Sequence, residues 1–168
     1  MRPITLDDVE LLLDLNRDPE VMRYLTGGEP TPRSEVEAAV QSALGSRWIA
    51  SHRETGEFVG WFGLRPHEPQ PNEHELGYRL ARRWWGTGLA TEGSRALIDI
   101  AFAERGASRV WAQTMTVNVA SRRVMEKCGM RFVRTFHLEW DEPIEGTADG
   151  DVEYELRRED WAAFRERA

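Results

Sequence analysis

The sequence is short of nearly everything that would mark a secreted, membrane-bound, metal-bound or nucleic-acid-bound chain. It has a single cysteine, Cys128, so no disulfide closes within it and a reducing compartment suits it. No stretch approaches the ~20 apolar residues of a membrane-spanning helix. The start, Met1-Arg2-Pro3-Ile4-Thr5-Leu6-Asp7-Asp8, lacks the apolar core of a secretory signal and is too acidic for a transit peptide. The cytoplasm is therefore the expected location, with no membrane partner. Basic residues are outnumbered, and a formal charge of -7 argues against sequence-independent binding to nucleic acid. The four histidines, His52, His67, His74 and His137, lack metal-ligand spacing, so no metal is expected. Repeats, low-complexity tracts and linkers are missing too. One domain over residues 1–168 is expected, long enough to bury roughly 70% of its unfolded surface.

What the chain does have is Arg82-Arg83-Trp84-Trp85-Gly86-Thr87-Gly88-Leu89-Ala90, set between a strand-like segment and the longest apolar-periodic helix. Two glycines one residue apart let the backbone turn with several N–H groups on one side. The following helix offers its unpaired first-turn donors to the same point. Such a concavity suits an anion, most often a phosphate, and Arg79, Arg82 and Arg83 add local basicity. It is not a P-loop, because Leu89 and Ala90 stand where Lys and Ser or Thr are required. Nor is it a dinucleotide fingerprint, because Thr91 occupies the third glycine position. Read alone, the stretch also fits an ordinary strand-turn-helix corner with a solvated basic rim.

Around this turn the periodicity predicts the elements. Thr5 and Asp8 form an N-cap pattern before a helical stripe of Leu6, Val9, Leu12, Leu13 and Leu15. Pro19 opens a short helix over 19–25, and Ser34 is expected to cap another that ends at Gly45. This opening region is where a lid or acceptor-binding wall would sit, or simply helices packed on a sheet. Strands follow at 48–52 and 58–64 around a hairpin turn, then a loop over 66–72 set by three prolines. In the strand 73–80, Leu76, Tyr78 and Leu80 share one face and Glu73, Glu75, Gly77 and Arg79 the other. A helix runs from Gly88 towards Gly106, with a strand at 109–114, a helix at 118–127, strands at 130–138 and 152–156, and a last helix from about Glu159. The class is α+β, or mixed α/β, around one mostly antiparallel sheet. The seven tryptophans are read as core and pocket walls rather than a nucleobase platform.

Arg83-Trp84-Trp85-Gly86-Thr87-Gly88-Leu89-Ala90-Thr91-Glu92 resembles the acyl-CoA signature of the GNAT superfamily of N-acetyltransferases. Glu75-Leu76-Gly77-Tyr78, Asn118-Val119-Ala120-Ser121, Glu126-Lys127-Cys128-Gly129-Met130, and Asp151 with Tyr154-Glu155-Leu156 and Glu159-Asp160-Trp161 are similar to the RimJ/RimL-type branch. The resemblance implies a central mixed sheet, splayed in the middle, flanked by helices. The pantetheine arm of acetyl-CoA would lie between strands 73–80 and 109–114, beside Tyr78 and Leu80. The pyrophosphate would rest on Arg83, Trp85, Gly86, Thr87, Gly88, Leu89 and Ala90. Backbone donors near Leu80 would hold the thioester carbonyl and the oxyanion formed in attack, and Asn118 and Ser121 would also face the cofactor. Family members usually carry a strand ahead of Arg2-Pro3-Ile4-Thr5. Here that strand is expected to be shortened or cut off.

The implied reaction is direct attack of a neutral amine on acetyl-CoA. A lysine-like amine with pKa ~10.4 costs about 4.6 kcal/mol to deprotonate at pH 7, and an α-amine near 7.7 only about 1. Glu75 matches the family's strand carboxylate and is the candidate base, although an ion pair with Arg79 would also explain it; Glu73 and His74 are lesser candidates. The tyrosine that many members place seven residues after the asparagine is Met125 here, which carries no proton. Ser121 is the candidate proton source for the leaving thiolate, against a structural role in the first helical turn. Cys128 has no neighbouring histidine and reads as a small apolar helix-end residue. The acceptor is a protein N-terminal α-amine or a small-molecule amine, and a homodimer stays open. The competing reading is a non-catalytic acyl-CoA-binding regulatory module. A nucleotide-binding protein of another kind is disfavoured by the missing lysine and third glycine.

Overall fold

In the computed structural model, which describes residues 1–165, seven strands hydrogen-bond in the order β1-β2-β3-β4-β5-β7-β6. The chain divides into two compact units, one of Met1–Gly63 with Tyr78–Ala90 and one of Leu64–Gly77 with the residues from Thr91 onward. The single-domain expectation over 1–168 thus includes residues 166–168, which lie outside the described residues.

The first unit holds β1 (Arg2–Pro3), α1 (Val9–Asn16), α2 (Pro19–Thr26), α3 (Arg33–Ser42) and β2 (Arg47–Ser51). It also takes the start of β3 (Phe58–His67) and the end of β4 (Gln70–Leu80). Its entry is tied by Asp8, whose buried carboxylate accepts the Thr5 N–H at 2.8 Å and both arms of Arg2 at 2.8 and 2.5 Å. The hydrogen bond from Arg2, working against burial, holds the Asp8 carboxyl below the usual carboxylate range. β1, two residues within the Arg2–Thr5 segment, pairs antiparallel with β2. In α2, Pro19 takes the first position, as the sequence predicts, and Asp18 caps it by accepting from Glu20 N–H at 3.0 Å. The third helix differs: Pro32 precedes it and no side chain caps it, so Ser34 lies inside its first turn. Proline sits in that place at φ -57 with its carbonyl accepting from Glu35 and Val36 at 3.1 Å. Leu12, Leu13, Val36, Val40, Ala43 and Ile49 form the core of this unit.

The second unit contains the rest of β3 and β4, most of α4 (Leu89–Ala103), β5 (Arg109–Met115), α5 (Val119–Lys127), β6 (Arg131–Phe136), β7 (Asp151–Arg157) and α6 (Arg158–Arg165). The loop expected over 66–72 is mostly strand: β3 continues to His67 and β4 begins at Gln70. Proline is excluded from a strand only where the ladder needs its N–H, so Pro66 and Pro71 are accommodated in the strands and Pro69 in the turn. β5 and β7 pair antiparallel over seven residue pairs, from Arg109↔Arg157 to Met115↔Asp151, and β6 pairs antiparallel with β7. β4 and β5 are parallel, and their pairing covers Glu73↔Arg109, His74↔Val110 and Glu75↔Trp111. A parallel pair needs a crossover, which α4 supplies, burying Gly93, Ser94, Leu97, Ile98, Ala101 and Phe102. The sheet is therefore mixed and mostly antiparallel, as expected.

Candidate functional site

The turn that follows β4 is built from left-handed glycines and indole hydrogen bonds. Gly86 (φ +74) and Gly88 (φ +91) both occupy a region that side chains rarely adopt, and a Cβ on either would meet nothing within 4 Å. The constraint is thus conformational, and the space above the turn is open. The N–H groups of Trp84 and Trp85 donate to Ala81 and Arg82 carbonyls at 2.9 and 3.1 Å, and the Thr87 hydroxyl donates to the Trp84 carbonyl at 2.7 Å. Among the described residues, the backbone N–H groups of Gly86, Thr87, Gly88, Leu89 and Ala90 have no acceptor. Their partial positive charge adds to that of the α4 N-terminus.

The tryptophans hold this turn in place, a role that reading them as pocket walls overlooks. The Trp84 indole donates to Phe58 O at 3.0 Å and stacks on His52, and the Trp85 indole donates to Leu80 O at 2.9 Å. Arg83 is spent locally, donating to the same Phe58 carbonyl at 3.1 Å with Glu57 at 3.9 Å. Tyr78 is half-buried with its ring tilted against Phe62, and the Leu80 side chain is buried. Beside them β3 comes so near β4 that a Cβ on Gly60 would lie 2.2 Å from the Arg79 carbonyl oxygen. No motif in the sequence marks Gly60.

In the second unit, Asn118 caps α5: its oxygen accepts from Ser121 N–H at 3.2 Å and its amide donates to Thr114 at 3.1 Å. Ser121 is half-buried in the first turn, and Met125 is core. The Glu75 carboxylate is hydrogen-bonded to exposed Arg65, not to Arg79. His74 is buried with Nδ1 unpartnered, and burial followed by the nearby Arg105 charge lowers its pKa. Burial also pushes the Cys128 thiol up to about 11, so it is no nucleophile at neutral pH. Among the described residues no group of three or more His, Cys, Asp or Glu side chains stands together to hold a metal.

Two arginine centres escape sequence reasoning. Arg109 donates to Glu73 at 2.8 Å, to Glu155 at 2.6 Å and to Glu153. Burial opposes its charge, yet the hydrogen bonds it donates to the three glutamates leave its pKa raised. The alternation of Glu73 with Glu75 and of Glu153 with Glu155 is the signal that could have exposed this cluster. Arg79 donates to Asn16 Oδ1 at 2.6 Å, and burial, then the charge of Arg47, pushes its pKa down to about 10.

Residues 1–131 match the sequence profile of the acetyltransferase (GNAT) domain. The chain belongs to the GNAT acetyltransferases. The acetyltransferase is 34% identical over 174 residues to the FsC-acetyl coenzyme A-N(2)-transacetylase of Aspergillus fumigatus, covering 95% of this chain and 73% of that protein. It is 38% identical over 144 residues to YkkB of Bacillus subtilis, an uncharacterised protein, covering 82% and 83% of the two chains. Its fold is similar to a GNAT-family acetyltransferase from Bacillus anthracis, with TM-score 0.78 at 22% identity over 94% of this chain and 93% of the other. It is also similar in fold to the aminoglycoside acetyltransferase AAC(6')-Ib solved with coenzyme A, with TM-score 0.74 at 19% identity over 98% and 97% of the chains. Family membership makes this protein an acetyl-CoA-dependent N-acetyltransferase. No helix among the described residues is long and apolar enough to cross a membrane.

Proposed function

We propose that this acetyltransferase is a cytoplasmic enzyme of the RimJ/RimL-type branch that acetylates a primary amine by direct attack. The observation that carries the reading is the turn at residues 86–90, whose backbone donors are left open beside two left-handed glycines. Their charge and spacing fit the pyrophosphate of the donor. Arg83 contributes there by holding the turn through Phe58, and Trp85 by holding Leu80.

In the proposed reaction the acceptor nitrogen forms a bond to the acetyl carbon and the carbon–sulfur bond breaks. The amine proton goes to Glu75, directly or through a water, once the exposed Arg65 swings away. The electron pair leaves on sulfur, and the Ser121 hydroxyl, or a water it positions, supplies the thiol proton. Tyr78 and Leu80 flank the acyl arm, with a backbone donor near Leu80 facing the thioester oxygen. Asn118 assists indirectly by fixing the first turn of α5, which carries Ser121.

Thiol release from acetyl-CoA across a panel of peptides and small amines tests this. Release with at least one acceptor, lowered about a hundredfold by Glu75→Gln, is expected. The buried Met125, standing where many relatives have a proton donor, favours a second reading, an acyl-CoA-binding regulatory module. Tight acetyl-CoA binding with no thiol release from any acceptor would establish that reading instead.

A further inference from the structure

A cation removed from water without a counter-ion is costly, and proteins rarely keep one unless something else supplies the anion. Arg79 is such a cation. Among the described residues it forms no ion pair, and its one hydrogen bond goes to the neutral oxygen of Asn16 at 2.6 Å. Asn16 is itself buried and turned by its amide, which donates to Thr31 Oγ1 at 3.3 Å. The guanidinium of Arg79 lies 5.5 Å from the Trp61 ring centroid, and a second guanidinium, that of Arg47, lies 4.0 Å from the same centroid. Two like charges thus share one indole, and that of Arg47 makes that of Arg79 harder to keep. The indole face offsets part of this cost, but it carries only a quadrupole, not a charge.

The side chains that meet here come from α1, β2, β3, β4 and the loop ahead of α3, all within the first unit. A guanidinium whose fork still has open N–H groups, with an aromatic wall beside it and a hydroxyl on the amide that it meets, matches a planar carboxylate. We propose that Arg79, supported by Asn16, Thr31, Trp61 and Arg47, is a carboxylate subsite for the acceptor. The preferred substrate is then an amine that carries its own carboxylate, such as a free amino acid or an acidic amine. A chain of formal charge -7 attracts cations at long range, so this preference depends on the local charge of Arg79, and it rests on the acetyl-transfer reading above. The donor phosphates are already provided for at residues 86–90, so Arg79 is assigned to the acceptor.

The test compares amino acids with their α-carboxamides, and aspartate with asparagine, by thiol release from acetyl-CoA. The wild type is expected to favour the carboxylate members at least tenfold in kcat/KM. Arg79→Gln should erase that preference while KM for acetyl-CoA stays within twofold, and Arg79→Lys should keep part of it. Equal rates within each pair in the wild type would overturn the proposal. So would a rise in KM for acetyl-CoA in Arg79→Gln with the acceptor preference intact, which would assign the arginine to the donor. Should no amine release thiol, the acetyl-transfer reading fails by itself, and tryptophan fluorescence titrated with N-acetylated amino acids still decides the subsite. Binding of the free acids but not of their amides, lost in Arg79→Gln, supports it. No binding of the acids to the wild type rejects it. Circular dichroism confirms that each variant is folded, and the wild-type preference needs no variant at all.

Discussion

Arg79 in the first unit and Arg109 in the second are both drawn out of water, yet they are answered differently. Three glutamates meet Arg109, and its charge is fully used inside the protein. An amide oxygen and an indole meet Arg79, and its charge is left over. The first arrangement holds strands together. The second, with no anion paired to it among the described residues, is suited to one from outside. Burial alone therefore does not separate a structural arginine from a functional one; the inventory of acceptors around it does.

The largest effect should come from breaking the satisfied centre. Arg109→Met leaves half-buried Glu73 and Glu155 and buried Glu153 facing one another, with Glu153 answered only by exposed Arg134 and Glu155 only by exposed Arg157, and is expected to cost about 3–5 kcal/mol in urea unfolding. Next is the close approach that carries Arg79. Gly60→Ala places a Cβ against the Arg79 carbonyl and should cost about 3 kcal/mol, read from the thermal midpoint.

Asp8 offers a third centre to set beside the two arginines. Its folded pKa is lowered, so its contribution is present above the ordinary carboxylate range and disappears as pH falls through the folded value. Asp8→Asn should thus cost about 1–2 kcal/mol at pH 7, with the deficit shrinking in acid-unfolding curves below about pH 4. Gly88→Ala, with strain but no collision, is expected to cost only about 1 kcal/mol of stability while raising KM for acetyl-CoA roughly tenfold. Smallest of all, Arg79→Gln should change stability by less than about 1 kcal/mol, because it deletes a charge that the fold does not pair. A loss as large as that of Arg109→Met would erase the distinction between the two arginines.

Much of the fold was legible from periodicity and turn chemistry. Asp18-Pro19 opened α2, the alternation of Leu76, Tyr78 and Leu80 described β4, and the long apolar stripe after Gly88 described α4. These are local preferences, and the structure obeys them. Pro66, Pro69 and Pro71 misled because a proline's effect depends on whether a neighbouring strand asks for its N–H, which is a question about pairing. Ser34 misled because Pro32 begins the helix earlier without a side-chain cap. Of the candidate site, the turn with its two glycines was visible as a motif. The partners of Glu75, Arg83 and Asn118 were not, since each lies on a residue that spacing does not single out.

By itself, the sequence determined most of the element types, the two-glycine turn and the family, because backbone conformation and short motifs are properties of adjacent residues. Only the tertiary structure decided which charges are satisfied. Arg65 took Glu75, three glutamates took Arg109, and Arg79 was left with Asn16. Charge compensation depends on distances between strands and helices far apart in the chain. The physical difference between a stabilising arginine and one open to a ligand is settled there.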